Sequence, residues 1–228
     1  MSPLEWNIYG ISIISWFNVI VVILLFHWFV GIPNVFYLVM ILKNYAASWR
    51  RGKLKALETA KLESRAYLSW IDDNIHMNNT VYFSEFEKGR RDWFFRVGSF
   101  DFIRKYNSNI VLTSITTRFR KEINPMQQFQ IQTKLIYYDE FHIYLEQRIV
   151  AAVNGMVMCI AYADCAVIDK SQNRRTTTNA FIKHLNIPYV KKKKMIENAP
   201  SSLLHWIEYL KTSSTEIRAE SGLGPKKD

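Results

Sequence analysis

Cysteine is scarce in this chain of 228 residues, which contains Cys159 and Cys165 and no others. If both lie on one strand, six residues of separation place their Cα atoms roughly 20 Å apart on the same face. A disulfide requires Cα atoms within about 7 Å of each other. No pair of Cys or His residues has the spacing of zinc ligands. The sequence therefore predicts no disulfide, no metal site and no cofactor.

Acidic residues are also in short supply, because 20 Asp and Glu stand against 30 Lys and Arg, for a formal net charge of +10. Nucleic acid would suit that charge, but no nucleic-acid-binding motif is present. Anionic lipid headgroups are the other candidate partner. Residues 191–194, four consecutive lysines, can face such headgroups or can form a merely solvated loop.

Formal charge is absent from residues 8–30, which are almost uninterruptedly apolar. As a helix this run is roughly 35 Å long, enough to cross a bilayer core of about 30 Å. A cleaved signal peptide would have a basic start, a shorter apolar stretch and a small-residue cleavage site. Here Glu5 and no Lys or Arg precede the run, and no A-x-A pattern follows it. The sequence predicts an uncleaved membrane anchor in residues 1–32.

Basic residues cluster soon after the apolar run, in the linker predicted for residues 33–62. They are Lys43, Arg50, Arg51, Lys53 and Lys55. The positive-inside tendency then predicts a single-pass protein with its downstream domain in the cytosol. The endoplasmic reticulum is the membrane we expect. Within the linker, residues 35–42 are too short to span a bilayer and are expected to lie on its surface.

Periodicity predicts an α+β domain over residues 63–170. A first strand at 64–70 precedes a long helix at 79–97, because apolar residues recur there at helical spacing. Four strand-like runs follow, at residues 110–120, 129–138, 141–151 and 155–168. An antiparallel sheet must bury one face, and the long helix is the element available to cover it.

The remaining residues, 171–228, are predicted to form a basic loop and a helical tail. A short helix is expected near 178–185, and an amphipathic helix at about 201–220. The tail helix has an apolar stripe that includes Leu203 and Ile207. Packing of this stripe on the sheet or on a membrane is the expected arrangement.

Residues 72–82, DDNIHMNNTVY, concentrate two carboxylates, an imidazole and three carboxamides directly before the long helix. A helix N-terminus carries unpaired backbone N–H groups and the positive end of the helix dipole, and both stabilise an oxyanion. The sequence therefore places any chemistry in this loop.

The same loop resembles the D-x-x-G-H-(V/M)-N-N-x-x-Y-x-x-x-(Y/F)-E signature of hotdog-fold acyl thioesterases of the 4-hydroxybenzoyl-CoA thioesterase type. The matching residues are Asp72, His76, Met77, Asn78, Asn79, Tyr82, Phe86 and Glu87. Residues 144–150 and 205–223 are similar to the subgroup called thioesterase superfamily member six. Over roughly 63–223 the resemblance implies a hotdog fold, in which an antiparallel sheet wraps a long central helix. It also implies a homodimer with the active site between protomers and a fatty acyl thioester, acyl-CoA or acyl carrier protein, as substrate.

The resemblance gives Asp72 the role of nucleophile or general base. Backbone N–H groups around Asn78 and Asn79 would stabilise the oxyanion, His76 would orient Asp72 or the substrate, and Tyr82 would line the acyl site. The residues themselves leave other roles open. Asp72 can cap a turn, either asparagine can cap the helix, and His76 can be a packed histidine with one backbone partner.

Ile75 occupies the position where the family signature has glycine. Glycine there would permit a positive φ and close approach of the substrate, whereas isoleucine restricts both. Two functions therefore stay open: hydrolysis of fatty acyl thioesters at a membrane, or non-catalytic acyl binding or scaffolding there. Arg90 and Arg91 could meet coenzyme A phosphates, although pairing with Glu87 or Asp92 is a simpler account.

Overall fold

A computed structural model describes residues 17–26 and 32–222, in two units, Met1–Ala47 and Ser48–Asp228. In the first unit residues 17–26 are helical. Helix α1 (Ile32–Arg51) begins in the first unit and ends in the second. Among the described residues, no helix combines the length and the apolar character needed to cross a membrane. The predicted span, residues 8–30, falls largely outside the described residues, which include only 17–26 of it.

The second unit is built on a six-stranded sheet in which every pairing is antiparallel. The strands are β1 (Ala60–Arg65), β2 (Ser108–Phe119), β3 (Gln128–Tyr138), β4 (His142–Ala151), β5 (Val157–Asp169) and β6 (Arg174–Thr176). Their order is β1-β3-β4-β5-β2, and β6 pairs with β5. The helices are α2 (Asn79–Arg96), α3 (Ser99–Lys105), α4 (Asn179–His184), α5 (Tyr189–Glu197) and α6 (Ser201–Glu220).

Helix α2 packs on one face of this sheet. Its apolar residues Tyr82, Phe86 and Trp93 are at most 2% exposed, because they share the face that meets the strands. Gly89 is the point of closest approach: a Cβ atom there would lie 2.7 Å from Ile131 Cγ2. The buried side chain of Gln147 closes the same contact, since its Nε2 donates to the Phe86 carbonyl at 2.8 Å.

The opposite face of the sheet is covered in part by α6. Leu203 and Ile207 of this helix are buried and pack in one cluster with Tyr144 of β4. The hydroxyls of Tyr162 and Ser202 are 2.9 Å apart and fasten the start of the helix to β5. The sheet is thus sandwiched, with α2 on its inner face and α6 on its outer face.

This α+β arrangement confirms the hotdog fold predicted from the sequence, with a helical C-terminal tail. The first strand is misplaced in the prediction, because β1 lies at Ala60–Arg65 and Leu68–Trp70 form a 3-10 turn. The position of β1 is fixed by its antiparallel pairing with β3, in which Ala60 lies opposite Thr133. The lysine run lies in α5 rather than in a loop, and Met195 of that helix packs against the core.

Candidate active site

The loop before α2 is closed by its own backbone. The Asp72 N–H donates to the His76 carbonyl at 3.0 Å, and the Ile75 N–H donates to the Asp72 carbonyl at 3.0 Å. This tight turn places Ile75 at φ 61°, in the left-handed region. A β-branched residue is rare there and costs roughly 1–2 kcal/mol. The chain therefore adopts a backbone conformation that favours glycine at a position where it carries isoleucine, and this residue is 72% exposed.

The carboxylate of Asp72 faces back into the loop. Its Oδ1 accepts the N–H of Asn74 at 2.9 Å and lies 3.5 Å from Nδ1 of His76. The same Nδ1 is 3.4 Å from the Met77 carbonyl oxygen. The Asp72 side chain is 20% exposed, so it is neither sealed in the core nor free in solvent. The carboxylate therefore caps the turn and also lies beside the Nδ1 side of the imidazole.

The start of α2 leaves one backbone donor available. Asn78 caps the helix, because its Oδ1 accepts the N–H of Thr80 at 2.9 Å. The N–H of Asn78 itself donates to the Trp70 carbonyl at 2.8 Å. The N–H of Asn79 has no partner within the part of the chain that the structure describes. Of the two asparagines, only Asn79 therefore presents a free N–H at the positive end of the helix dipole.

A cleft of about 250 Å³ opens beside this helix start. Its lining residues are His76, Met77, Asn79, Tyr82, Phe119, Arg120, Lys121 and Glu122. Asp72 and Asn78 are not among them. The Met77 N–H donates to the Ile123 carbonyl at 2.8 Å and so joins the loop to the segment that follows β2. The cleft thus lies between those two segments, and three of the residues predicted for the site, His76, Asn79 and Tyr82, line it.

Tyr82 forms the buried wall of the cleft. Its ring packs edge-on against Phe119, with centroids 5.0 Å apart. Burial is the main cause that raises the pKa of Tyr82 to about 12, with smaller contributions from Cys159, Glu122 and Asp72 and an opposing hydrogen bond to the Ile123 backbone. The phenol is therefore neutral at physiological pH.

The positive charge at the cleft comes from residues that the sequence did not single out. The N–H groups of Arg120 and Lys121 both donate to the Met158 carbonyl, at 2.9 and 3.0 Å. Their exposed side chains make no ion pair within the described residues. The basic run at residues 118–121 was a visible signal, but the sequence alone does not say which loop it approaches.

The arginines considered from the sequence lie elsewhere. Arg90 is 8% exposed and donates through Nη1 to Gln147 Oε1 at 2.8 Å. Arg91 pairs with Glu87 along the same helix. The simpler account of Arg91, an ion pair within the helix, is the one observed, and Arg90 binds the sheet.

Residues 67–207 match the thioesterase-like superfamily. The protein THEM6 of Xenopus laevis is 30% identical over 153 residues, which cover 67% of this chain and 69% of that protein. THEM6 of Danio rerio is 29% identical over 165 residues, covering 72% and 77%.

Solved structures share the fold at low sequence identity. The YbaW probable thioesterase from Escherichia coli has a TM-score of 0.52 at 19% identity, covering 55% of this chain and 95% of that one. A hypothetical protein from Staphylococcus aureus, solved in complex with CoA, has a TM-score of 0.51 at 13% identity, covering 65% and 90%.

Proposed function

Because the chain belongs to the thioesterase-like superfamily, we propose that it hydrolyses fatty acyl thioesters, with acyl-CoA as the substrate. The observation that carries the proposal is the cleft, where His76 and the helix start at Asn79 meet an apolar wall and a basic rim. The acyl group packs against Tyr82 and Phe119. The CoA phosphates bind the cations of the rim. The CoA-bound neighbour of the same fold supports this choice of ligand.

In this proposal the thioester carbonyl points at the Asn79 N–H. That donor, at the positive end of α2, stabilises the charge that develops on the oxygen during attack. The neutral hydroxyl of Tyr82 lies in the same cleft wall and helps to orient the ligand. The apolar part of the wall excludes water from the acyl chain, so the attacking water enters on the polar side, beside His76.

Asp72 serves as the base through His76. The imidazole lines the cleft, and its Nδ1 faces the Asp72 carboxylate, so Nε2 can take a proton from the attacking water. Collapse of the tetrahedral intermediate then expels the CoA thiolate, which takes the proton back from the imidazolium. Direct attack by Asp72, the other role implied for it, would need its side chain to leave the turn that it caps.

Steady-state hydrolysis of acyl-CoA by the full chain in nanodiscs tests the assignment. We expect Asp72→Ala and His76→Ala each to lower kcat at least hundredfold, in line with a general-base contribution of about 10²–10⁴. Asp73→Ala is the matched control, because this neighbouring carboxylate is exposed and does not line the cleft. Asp72→Asn separates the two roles of Asp72: it would abolish covalent attack but keep part of the imidazole-dependent rate.

A second function is favoured by Ile75, which has a strained backbone at φ 61° at the position where the family signature has glycine. It is non-catalytic binding of acyl groups, or scaffolding, in lipid homeostasis. If the full chain binds acyl-CoA without turnover, the binding module replaces the enzyme. If it neither hydrolyses nor binds acyl-CoA, a scaffolding function is the one supported.

We also propose that residues 8–30 anchor the protein once in the endoplasmic reticulum membrane, with the second unit in the cytosol. The charge-free apolar run and the basic residues that follow it support this topology. Digestion of a C-terminal tag by added protease in sealed vesicles would support this topology. Protection of the tag would show that the second unit lies on the opposite side of the membrane.

A homodimer completes the proposal. β2 is an edge strand of twelve residues, on which Leu112 is 43% and Phe119 is 41% exposed. A long edge with apolar side chains invites pairing with another strand. Pairing two β2 strands would bring the second copy beside Phe119 and hence beside the cleft. Sedimentation of the full chain in detergent would show a dimer, and Phe119→Lys would weaken it.

A further inference from the structure

A second groove lies at the end of the sheet opposite the active-site cleft. Strand β2 begins there at Ser108, β5 ends there at its partner Asp169, and α2 ends nearby at Arg96. The groove has a volume of about 510 Å³. It is lined by Phe100, Asp101, Ile103, Arg104, Asn107 and Lys170. We propose that this groove and the cations around it form a docking surface for anionic lipid headgroups at a bilayer.

The groove is a built feature of the fold. Phe102 of α3 is 1% exposed and packs edge-on against Phe181, with ring centroids 5.0 Å apart. The Lys170 N–H donates to the Asn107 carbonyl at 3.0 Å, which holds the lysine beside the end of α3. One wall of the groove is therefore fixed by packing of α3 on the core, and the other by a backbone hydrogen bond between two lining residues.

The charge in the groove is free to bind an anion. Arg104 is 3.7 Å from Asp101, but their side chains are 87% and 71% exposed, so water screens the pair. Lys170 is exposed and makes no ion pair within the described residues. The groove is thus lined by one carboxylate, Asp101, and two cations, Arg104 and Lys170, so these side chains carry a net positive charge.

Apolar side chains accompany these cations. Phe100 is 47% exposed and Tyr106 is 44% exposed. The ammonium group of Lys105 lies 5.3 Å from the centre of the Tyr106 ring. Exposed aromatic rings beside lysine and arginine are the composition of protein surfaces that enter the headgroup layer of a membrane. A partner that offers charge alone would leave the Phe100 ring in water.

Further cations lie at the same end of the unit. Arg96 Nε donates to the Gly52 carbonyl at 2.9 Å, which places the exposed Lys53 beside the end of α2. His184 Nε2 is 3.0 Å from the Gly98 carbonyl oxygen, and the exposed Lys183 is its neighbour in sequence. Each cation held near an anionic leaflet adds attraction, and together they favour one orientation of the unit.

The chain itself enters the unit at this end. Ser48 is the first residue of the second unit, and its hydroxyl donates to Asp92 near the end of α2 at 2.6 Å. A bilayer that held residues 8–30 would therefore be connected to the groove end of the unit by residues 31–47. The groove is remote from the cleft, and binding of lipid headgroups there does not depend on thioester hydrolysis.

Hydrogen exchange of the full chain in nanodiscs tests the surface. We compare deuterium uptake of residues 98–107 in discs of phosphatidylcholine and in discs with one third phosphatidylserine. We expect exchange in this segment to slow at least threefold with the anionic lipid, and the effect to fade at high salt. Arg104→Glu with Lys170→Glu should abolish the difference. Lys61→Glu, an exposed reversal on β1, should leave it intact.

Three results would overturn the proposal. Uptake could be equal in the two lipids, or the difference could survive the double reversal. An oligonucleotide could protect residues 98–107 in neutral discs while anionic lipid does not, which would assign the groove to nucleic acid. Uptake of the remote residues 72–76 monitors folding of the reversed variant. If that segment exchanges faster than in the wild type, Arg104→Gln with Lys170→Gln replaces it and is held to the same outcomes.

Discussion

One aspartate lies in the loop before α2 and another lies near the C-terminal end of that helix, and the two carboxylates have very different surroundings. Asp92, near the C-terminal end, is 2% exposed. It accepts from Ser48 Oγ at 2.6 Å and from two arginines, Arg51 at 2.7 Å and Arg96 at 3.4 Å. This carboxylate is fully occupied in joining the end of α1 to α2.

Asp72, before the N-terminal end, has one backbone donor at 2.9 Å and an imidazole at 3.5 Å. It is partly exposed and stands behind a histidine that lines a cleft. A buried carboxylate whose donors are all charged or hydroxyl groups stabilises the fold, whereas one with spare lone pairs beside an imidazole at a cleft is available for proton transfer.

Replacing each aspartate in turn gives the largest expected difference in stability between the two positions. Asp92→Ala leaves Arg51 and Arg96 without their buried partner and should lower the free energy of unfolding by about 3–5 kcal/mol. Asp72→Ala removes one hydrogen bond in a turn and should cost about 1 kcal/mol. Denaturant unfolding of the full chain measures both, with Asp73→Ala as the neutral control. Equal losses would mean that Asp72 is a structural carboxylate as well.

A smaller loss of stability is expected from replacing Gly89, which lies between Asp72 and Asp92 at the closest approach of α2 to the sheet. Gly89→Ala places a methyl group 2.7 Å from Ile131 Cγ2 and 2.8 Å from Thr133 Oγ1, so the helix must move away from the sheet. We expect a loss of about 1–3 kcal/mol from overpacking. Ser84→Ala, on the exposed face of the same helix, should change stability by only a few tenths of a kcal/mol.

A gain of stability from Gly89→Ala, as an exposed helical glycine would give, would contradict the close approach of α2 to the sheet. Thermal unfolding of the two variants under one condition decides the point. Because the helix carries Asn79 at its start, hydrolysis should also fall in Gly89→Ala and stay unchanged in Ser84→Ala.

The smallest expected effect on stability comes from replacing Ile75, which lies in the loop that carries the candidate site. Ile75→Gly relieves the left-handed backbone at φ 61° and removes an exposed side chain. We expect a gain of about 1 kcal/mol, reduced in part by the greater freedom of glycine in the unfolded chain. Ile75→Val is the matched control and should give no gain, because valine is also β-branched. A loss in Ile75→Gly would show that the isoleucine side chain makes stabilising contacts.

The long helix was predictable because its apolar residues repeat at helical spacing over five turns, and the prediction of 79–97 differs from Asn79–Arg96 by one residue. The first strand was not, since Ala60–Arg65 is short and mostly polar. Only hydrogen bonding to β3 gives those residues a strand conformation. The lysine run was also misjudged as a loop, because the contact of Met195 with the core, which fixes α5, is not visible in the sequence.

The candidate site also has a part that was predictable from the sequence and a part that was not. The loop and its helix could be found because carboxylate, imidazole and carboxamides are adjacent in sequence. Arg120, Lys121 and Glu122 could not be assigned to it, because about forty residues separate them from the loop. They become part of the cleft because Phe119 packs against Tyr82 of α2 and the Met77 N–H donates to the Ile123 carbonyl.

By itself the sequence determined the central helix, most of the sheet and the polar loop, because each depends on local periodicity or on residues within one turn of the chain. Tertiary structure alone decided which charges meet the cleft, which asparagine keeps a free N–H and which aspartate is buried among donors. Those outcomes depend on partners distant in sequence, and hydrogen bonds and burial are settled only when the strands and α2 are packed together.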